Sequence, residues 1–522
     1  MRRFFAAVCV WCLGAVIQAV WAQTPARGSI SGVVRTDTAG ALPKDVAVIA
    51  ISSKGVGLPA RPDAEGRYRI ANLPPGDYSV SAVAAGNAVT QGRLIRLAPG
   101  QDISVDLVAP AGVMVSGRII DENGEPVPRA QVFVVRKEYR AGELGYYAGS
   151  PIPANERGEY ATTGLMPGRS YLLMAKGWRP FTSYALEPRE RKPVLIPAYF
   201  PGTESLQAAE TIIPRAGERR EGVNIRLKNS PAYCIDGVLD EEGRPGEIEF
   251  EFAEVGPSGG APLLRSAGNG RFRICNLHSG DYRLTVASGA SEGSWTLISV
   301  RDGDRQDLKV HAGPGTPPAA EVLWAGEAPE KTPEGKLTMS IRSLGDGLSQ
   351  QISFPLEAGP FYIPRLTASD YEVKVSGTPR GIYVKDISYG AQSVLQEPLR
   401  FGVSSGAVLR VVLAREGGSI RAGVADGEGA PVLQAWVYMI PESARSPAAL
   451  STVLVAGRTD QTGTFLSGTL PPGKYYVVAS ETEVFPTPES MDALWRARPR
   501  ATEAEIAPGA TAAINLEILE IR

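Results

Sequence analysis

A chain of 522 residues exceeds what a single hydrophobic core can organise, so about three to five domains are expected. Its 58 glycines, 42 prolines and 43% hydrophobic content suit short strands joined by turns and exclude wholesale disorder. A formal charge of −2 offers no basic surface for nucleic acid or an anionic membrane.

Arg2 and Arg3 precede an apolar run from Phe4 to Val20, closed by Trp21 and Ala22 before Gln23. That pattern predicts a secretory signal over residues 1–22 and delivery to the periplasm or cell exterior. Cys9 and Cys12 lie inside the run, where the flanking residues do not form a lipid-attachment motif. The run is shorter than the roughly 20 residues a spanning helix needs, so no membrane span is expected after cleavage. The remainder holds 52 bases against 56 acids, a net charge of −4.

Residues 23–110 read as a first unit, with strands at Ile30–Val34 and Val46–Ile51 and a central block from Gly66 to Val80. In that block two alternating strands flank Pro74-Pro75-Gly76; Pro75 and Gly76 suit the central positions of a type II turn. Tyr78 stands where a tyrosine corner would tie the turn to backbone. Ile103, Val105 and Leu107 alternate as a half-buried closing strand. The block returns around Tyr160 and Tyr171, Phe272 and Tyr282, Phe361 and Tyr371, and Phe465 and Tyr475. Five copies indicate an array, with units at 111–229, 230–315, 316–416 and 417–522. The fourth is the most divergent, having lost the turn glycine. Pro314, Pro317 and Pro318 read as a semi-rigid spacer. Glu489–Arg496 is the one segment read as a helix.

The second unit opens with Gly117, Asp121, Gly124, Pro126, Val127, Ala130 and Val132, and the fifth repeats the spacing with Gly423, Asp426, Gly429, Pro431, Val432, Ala435 and Val437. These openings, completed by the tyrosine hairpins, resemble carboxypeptidase regulatory-like domains. The resemblance is good in units one, two and five, fair in three and weak in four. It implies an all-β tandem array of about five transthyretin-like (prealbumin-like), Ig-like β-sandwich modules. It further implies non-catalytic extracellular modules, with no catalytic residues to carry over.

Each candidate catalytic constellation lacks a partner residue. Two histidines, His278 and His311, cannot furnish the ligand set of a zinc carboxypeptidase. Gly402-Val403-Ser404-Ser405-Gly406 matches a nucleophile elbow, yet a strand follows it and no histidine lies beyond His311. Gly468 to Lys474 resembles a phosphate loop, but Tyr475 replaces the hydroxyl that would reach magnesium. Asp302, Asp304 and Asp307 lack the spacing of a calcium loop. No catalytic residue, metal or cofactor is expected, and the chain reads as a non-enzyme.

Cys234 and Cys275 are the only cysteines beyond the signal. They form either a disulfide, in an oxidising compartment, or two small core residues. The second unit alone carries aromatic-rich insertions, over 136–153 and 176–200. Tyr146, Tyr147, Trp178 and Tyr184 could form a sugar-stacking platform on end loops, or else fill a joint between modules. Two functional classes follow. One is an extracellular structural, adhesive or interaction scaffold with an unknown protein or glycan partner. The other is a carbohydrate-binding protein built on a starch-binding-like fold.

Overall fold

In a computed structural model the chain is almost wholly β. The structure describes residues 26–521 except 37–45, 53–56, 84–92, 110–112, 179–190, 192, 216, 242–245, 258–262, 288–294, 313–318, 331–332, 334, 346–348, 364–365, 367–368 and 402–406. The proposed signal, the proline spacer, Tyr184 and the elbow-like motif lie outside the described residues.

Module one sets the pattern. β1 (Gly28–Thr36), β2 (Ala47–Ser52), β3 (Gly57–Ala60), β4 (Arg67–Leu73), β5 (Gly76–Val83), β6 (Arg93–Leu97), β7 (Asp102–Ser104) and β8 (Leu107–Ala109) divide between two sheets. In one, β1 lies between antiparallel β4 and parallel β7, with β8 continuing beside its far end. The other runs β3-β2-β5-β6, all antiparallel. Alternation along the strands aims Ile30, Val48, Ala50, Tyr68, Ile70, Val80 and Leu97 into the space between the sheets.

The same two-sheet order recurs four times. Val113–Ile120, Tyr233–Glu241, Ala319–Trp324 and Ser419–Ala425 are each flanked by one antiparallel and one parallel neighbour, as β1 is. Each module closes its own core: Val113 to Leu227, Ile235 to Val310, Ala320 to Leu413 and Ile420 to Leu516. The divergent fourth module keeps this topology and adds Tyr383–Tyr389 and Gln392–Ser393 to its first sheet.

Two details differ from the sequence reading. Gly76 adopts φ 155°, near an extended strand, where a type II turn asks for about +80°. The left-handed residue instead comes four positions before Gly76, at Asn72 (φ 61°), inside a bulge that shifts the β1–β4 register; Asn276 (φ 61°) does the same in module three. The predicted helix forms as Pro488–Ala497, its start capped by Thr487, whose Oγ1 accepts from Ser490 N at 3.3 Å. It is joined by a one-turn helix at Leu450–Val453 that no periodicity announces.

The tyrosine corners do form. The hydroxyls of Tyr78, Tyr282 and Tyr475 each donate to the carbonyl four residues back, at 2.7, 2.9 and 2.9 Å. In module two the Tyr171 hydroxyl accepts from Met166 N at 2.9 Å instead. Cys234 and Cys275 form a disulfide between neighbouring strands of module three, beside the bulge.

Candidate interaction site

In module two, β9 (Val113–Ile120) is followed by β10 (Gln131–Arg140) and β11 (Glu143–Ala148). β10, at 10 residues, is longer than the matching strands of the other modules, which have 6 to 8. β10 and β11 pair from Val135 opposite Ala148 out to Arg140 opposite Glu143. The two-residue loop Ala141-Gly142 has φ 48° and 77°, as a type I′ turn needs. An alanine at a left-handed position costs about 1–2 kcal/mol. Ala141 is nonetheless buried at the tip of a hairpin, where exposure would be the rule. The surface covering it comes from other modules.

Four modules meet at this hairpin. Tyr139 N donates to Pro486 O of module five at 2.6 Å, and Gly142 N donates to Ser451 Oγ at 3.1 Å. Glu143 pairs with Arg400 of module four at 3.1 Å, and Ala148 N donates to Pro257 O of module three at 3.3 Å. The Tyr139 ring packs on an apolar cluster of module five that includes Leu450, Met491 and Leu494, supplied by its two helices. A Cβ on Gly142 would stand 2.5 Å from the Gln396 carbonyl oxygen, so only glycine lets module four approach this closely.

A buried charge cluster lies under the hairpin. Glu138 accepts from Arg140 Nη2 at 2.8 Å and from Arg169 Nη2 at 2.9 Å, with all three side chains at least 87% buried. The Arg140 guanidinium lies 3.6 Å from the Tyr147 ring centre, and that of Arg169 lies 4.4 Å from the Phe485 ring of module five. Burial lowers the Arg169 guanidinium from its ordinary value, with Tyr171 and Glu138 opposing. Burial also pushes the Tyr147 phenol up to about 12 and raises the Glu483 carboxyl, against Arg458 and Arg169. A buried pair gains little net energy once desolvation is counted; what it does is penalise any docking pose that separates the charges.

Other ties join the same modules. Arg191 in the second insertion pairs with Asp304 of module three at 2.7 Å, and Asp304 Oδ1 also accepts from Cys234 N at 2.9 Å. Both carboxylate oxygens of Asp304 are thereby engaged as an inter-module anchor. Gln396 and Thr469 link modules four and five.

The sequence-derived aromatic residues separate into two settings. Tyr146 and Tyr147 are neighbours on β11, facing opposite sides: Tyr147 is buried beneath Arg140, while half-buried Tyr146 packs on Phe133, Leu172 and Tyr199. Trp178 is 46% exposed beside Arg129, whose guanidinium lies 5.7 Å from the ring. His278 sits buried in its turn, Nε2 3.2 Å from Glu254 and Nδ1 2.7 Å from Ser279 O. His311 is exposed, 3.6 Å from Asp240. Glu138, Arg140, Arg169 and the Ala141-Gly142 turn were not singled out by their sequence. Their signal is the length of β10, 10 residues against 6 to 8 in the matching strands of the other modules.

Among the described residues no helix is long and apolar enough to cross a membrane. No curated protein matches the chain. Among solved structures, a streptococcal ancillary pilin is similar at 12% identity and TM-score 0.20, covering 54% of this chain and 99% of its own. The major pilin subunit BcpA of Bacillus cereus is similar at 11% identity and TM-score 0.15, covering 55% and 100%. A minor pilin of Streptococcus agalactiae, GBS52, is similar at 11% and 0.19, covering 42% and 99%. Scores this low add nothing to the architecture described above. The carboxypeptidase regulatory-like domain family matches residues 29–109, which span β1 to β8. Residues 29–109 are thus similar to a carboxypeptidase regulatory-like domain, and they head a tandem array of two-sheet β-sandwiches.

Proposed function

We propose that this protein is a secreted, non-catalytic scaffold, acting outside the cytoplasm and divided into modules at 23–110, 111–229, 230–315, 316–416 and 417–522. The observation that carries the reading is the module-two hairpin. Its tip is committed to modules four and five and its base to module three, an investment that makes sense where function depends on holding surfaces in fixed relation. The disulfide between Cys234 and Cys275 is in keeping with an oxidising compartment. The partner would be a protein or glycan of the cell envelope, met by several modules at once.

The test is retention of the purified protein on isolated envelopes of the source cell. Saturable retention that weakens in Gly142→Ala, but not in Gly124→Ala, supports the scaffold. Equal retention of both variants, or turnover of an envelope polymer, refutes it. A second reading, carbohydrate binding by module two through Trp178, is favoured by the exposure of that ring, whereas Tyr147 is buried beneath Arg140 and Tyr146 packs on Phe133 and Tyr199. Micromolar binding on a glycan array that Trp178→Ala abolishes would support it, and binding that survives the substitution would not.

A further inference from the structure

An open cleft of about 600 Å³ lies on module two, and neither the β10–β11 hairpin nor Trp178 lines it. Its volume falls within the roughly 300–1,000 Å³ usual for small-ligand sites. Strand Ile225–Arg226 runs parallel to β9 and sets Arg226 beside Ile120, while Ile225 and Leu227 point into the core. Over this floor folds the turn Pro201-Gly202-Thr203, closed by reciprocal bonds between Tyr199 and Thr203 at 2.7 and 3.0 Å. Pro201 O accepts from Arg226 N at 3.2 Å. A Cβ on Gly202 (φ 152°) would stand 3.1 Å from Arg226 O, so the turn lies directly on the strand. Exposed Ala208 forms another wall.

Charges of both signs border the cleft, and Arg226 is left without an acidic partner. The acids around the cleft are engaged: Glu204 with Lys228 at 3.5 Å, Glu210 with Arg220 at 3.2 Å, and Glu122 with Asn229 at 3.0 Å. Among the described residues no carboxylate lies within ion-pair distance of Arg226, which is exposed at the cleft. Asn224 Oδ1 accepts from Arg118 N at 2.8 Å, which fixes the side chain and leaves its amide N–H groups to donate.

We propose that this cleft binds a small hydroxylated carboxylate. Arg226 takes the carboxylate through two parallel N–H···O bonds. Asn224 and Thr203 hydrogen-bond the hydroxyls, and Ile120, Pro201 and Ala208 cover the C–H face. Such a ligand is either an acidic sugar unit or a free hydroxy acid. The site is independent of the scaffold reading, because it uses no residue of the inter-module junction.

The test is titration calorimetry of the full chain with digalacturonate, citrate and galactose. Saturable binding of digalacturonate or citrate, at least tenfold tighter than galactose and weakened at least tenfold by Arg226→Gln, is the expected result; the tighter acid identifies the source. Arg226→Gln keeps the backbone N–H that holds Pro201. A second variant, Ala208→Trp, fills the cleft from an exposed position and should abolish binding with an unchanged melting curve. The proposal is overturned if neither acid saturates by about 10 mM, if galactose binds as tightly, or if both variants bind as the parent does.

Discussion

Gly142→Ala tests the junction at its narrowest point. The substitution places a Cβ 2.5 Å from Gln396 O, where ordinary contact begins at 3.4 Å. Hairpin tip and module four must therefore part by about 1 Å. Because Gln396 is itself bonded to Ser443 and Arg445 of module five, the tip is what yields, and the Gly142 N to Ser451 Oγ bond to that module, 3.1 Å in the parent, stretches beyond hydrogen-bond range. That loss is worth about 1 kcal/mol, on top of about 1–2 kcal/mol for alanine at φ 77°. Gly124→Ala is the matched control: its φ is 84°, so the backbone strain is the same, but nothing lies within 4 Å of its Cβ. Native-state hydrogen exchange reads the difference. In Gly142→Ala the amides of Tyr139 and Gly142, which bond across modules, should exchange at least about fivefold faster than in Gly124→Ala. Val132 and Val134, paired within module two, should be equal in both variants. Equal exchange at Tyr139 and Gly142 in the two variants would refute the reasoning.

Three further outcomes follow from the fold. Replacing Cys234 and Cys275 together by alanine opens a link spanning 41 positions and should lower module-three stability by about 4 kcal/mol on chain entropy, read by chemical denaturation; a change under about 1 kcal/mol would contradict this. Tyr78→Phe and Tyr475→Phe each remove one hydroxyl-to-carbonyl bond and should cost about 0.5–1.5 kcal/mol in urea unfolding, with no effect in either counting against the tyrosine corner. Burial pushes the Asp304 carboxyl up, but the Cys234 N–H and the Arg191 guanidinium outweigh it and hold it below its ordinary value. A depressed carboxyl stabilises the fold above the unfolded pKa of about 4 and loses that contribution as pH falls through the folded value. Melting temperature should therefore drop more steeply below about pH 4 in the parent than in Asp304→Asn, and parallel curves would remove Asp304 from the account.

The modular architecture was legible because it rests on local rules repeated along the chain. Alternation places Ile30 and Val48 inside, Tyr78 marks its turn, and Asp121 with Gly124 forms a tight loop in which Asp121 Oδ1 accepts from the Asn123 and Glu125 amides. Even module four, whose turn glycine is gone, keeps the topology, because Leu337, Met339 and Ile341 preserve the inward alternation. The type II turn was misread because Pro75-Gly76 is a strong local signal, while the bulge at Asn72 depends on register across two strands. The junction was illegible for a deeper reason. Nothing local marks Glu138 and Arg140 apart from other charged residues, and only the approach of Arg169 and Phe485, distant in sequence, buries them. Tyr147 likewise reads as a possible stacking surface until Arg140 covers its face.

Small-angle scattering from the parent and from Gly142→Ala, in the same buffer, tests the central claim most directly. A chain whose second module docks on the third, fourth and fifth gives a compact distance distribution in the parent, and a broader one with a longer maximum dimension once the hairpin is displaced. A parent as extended as the variant, with the long tail of five modules strung end to end, would contradict the account.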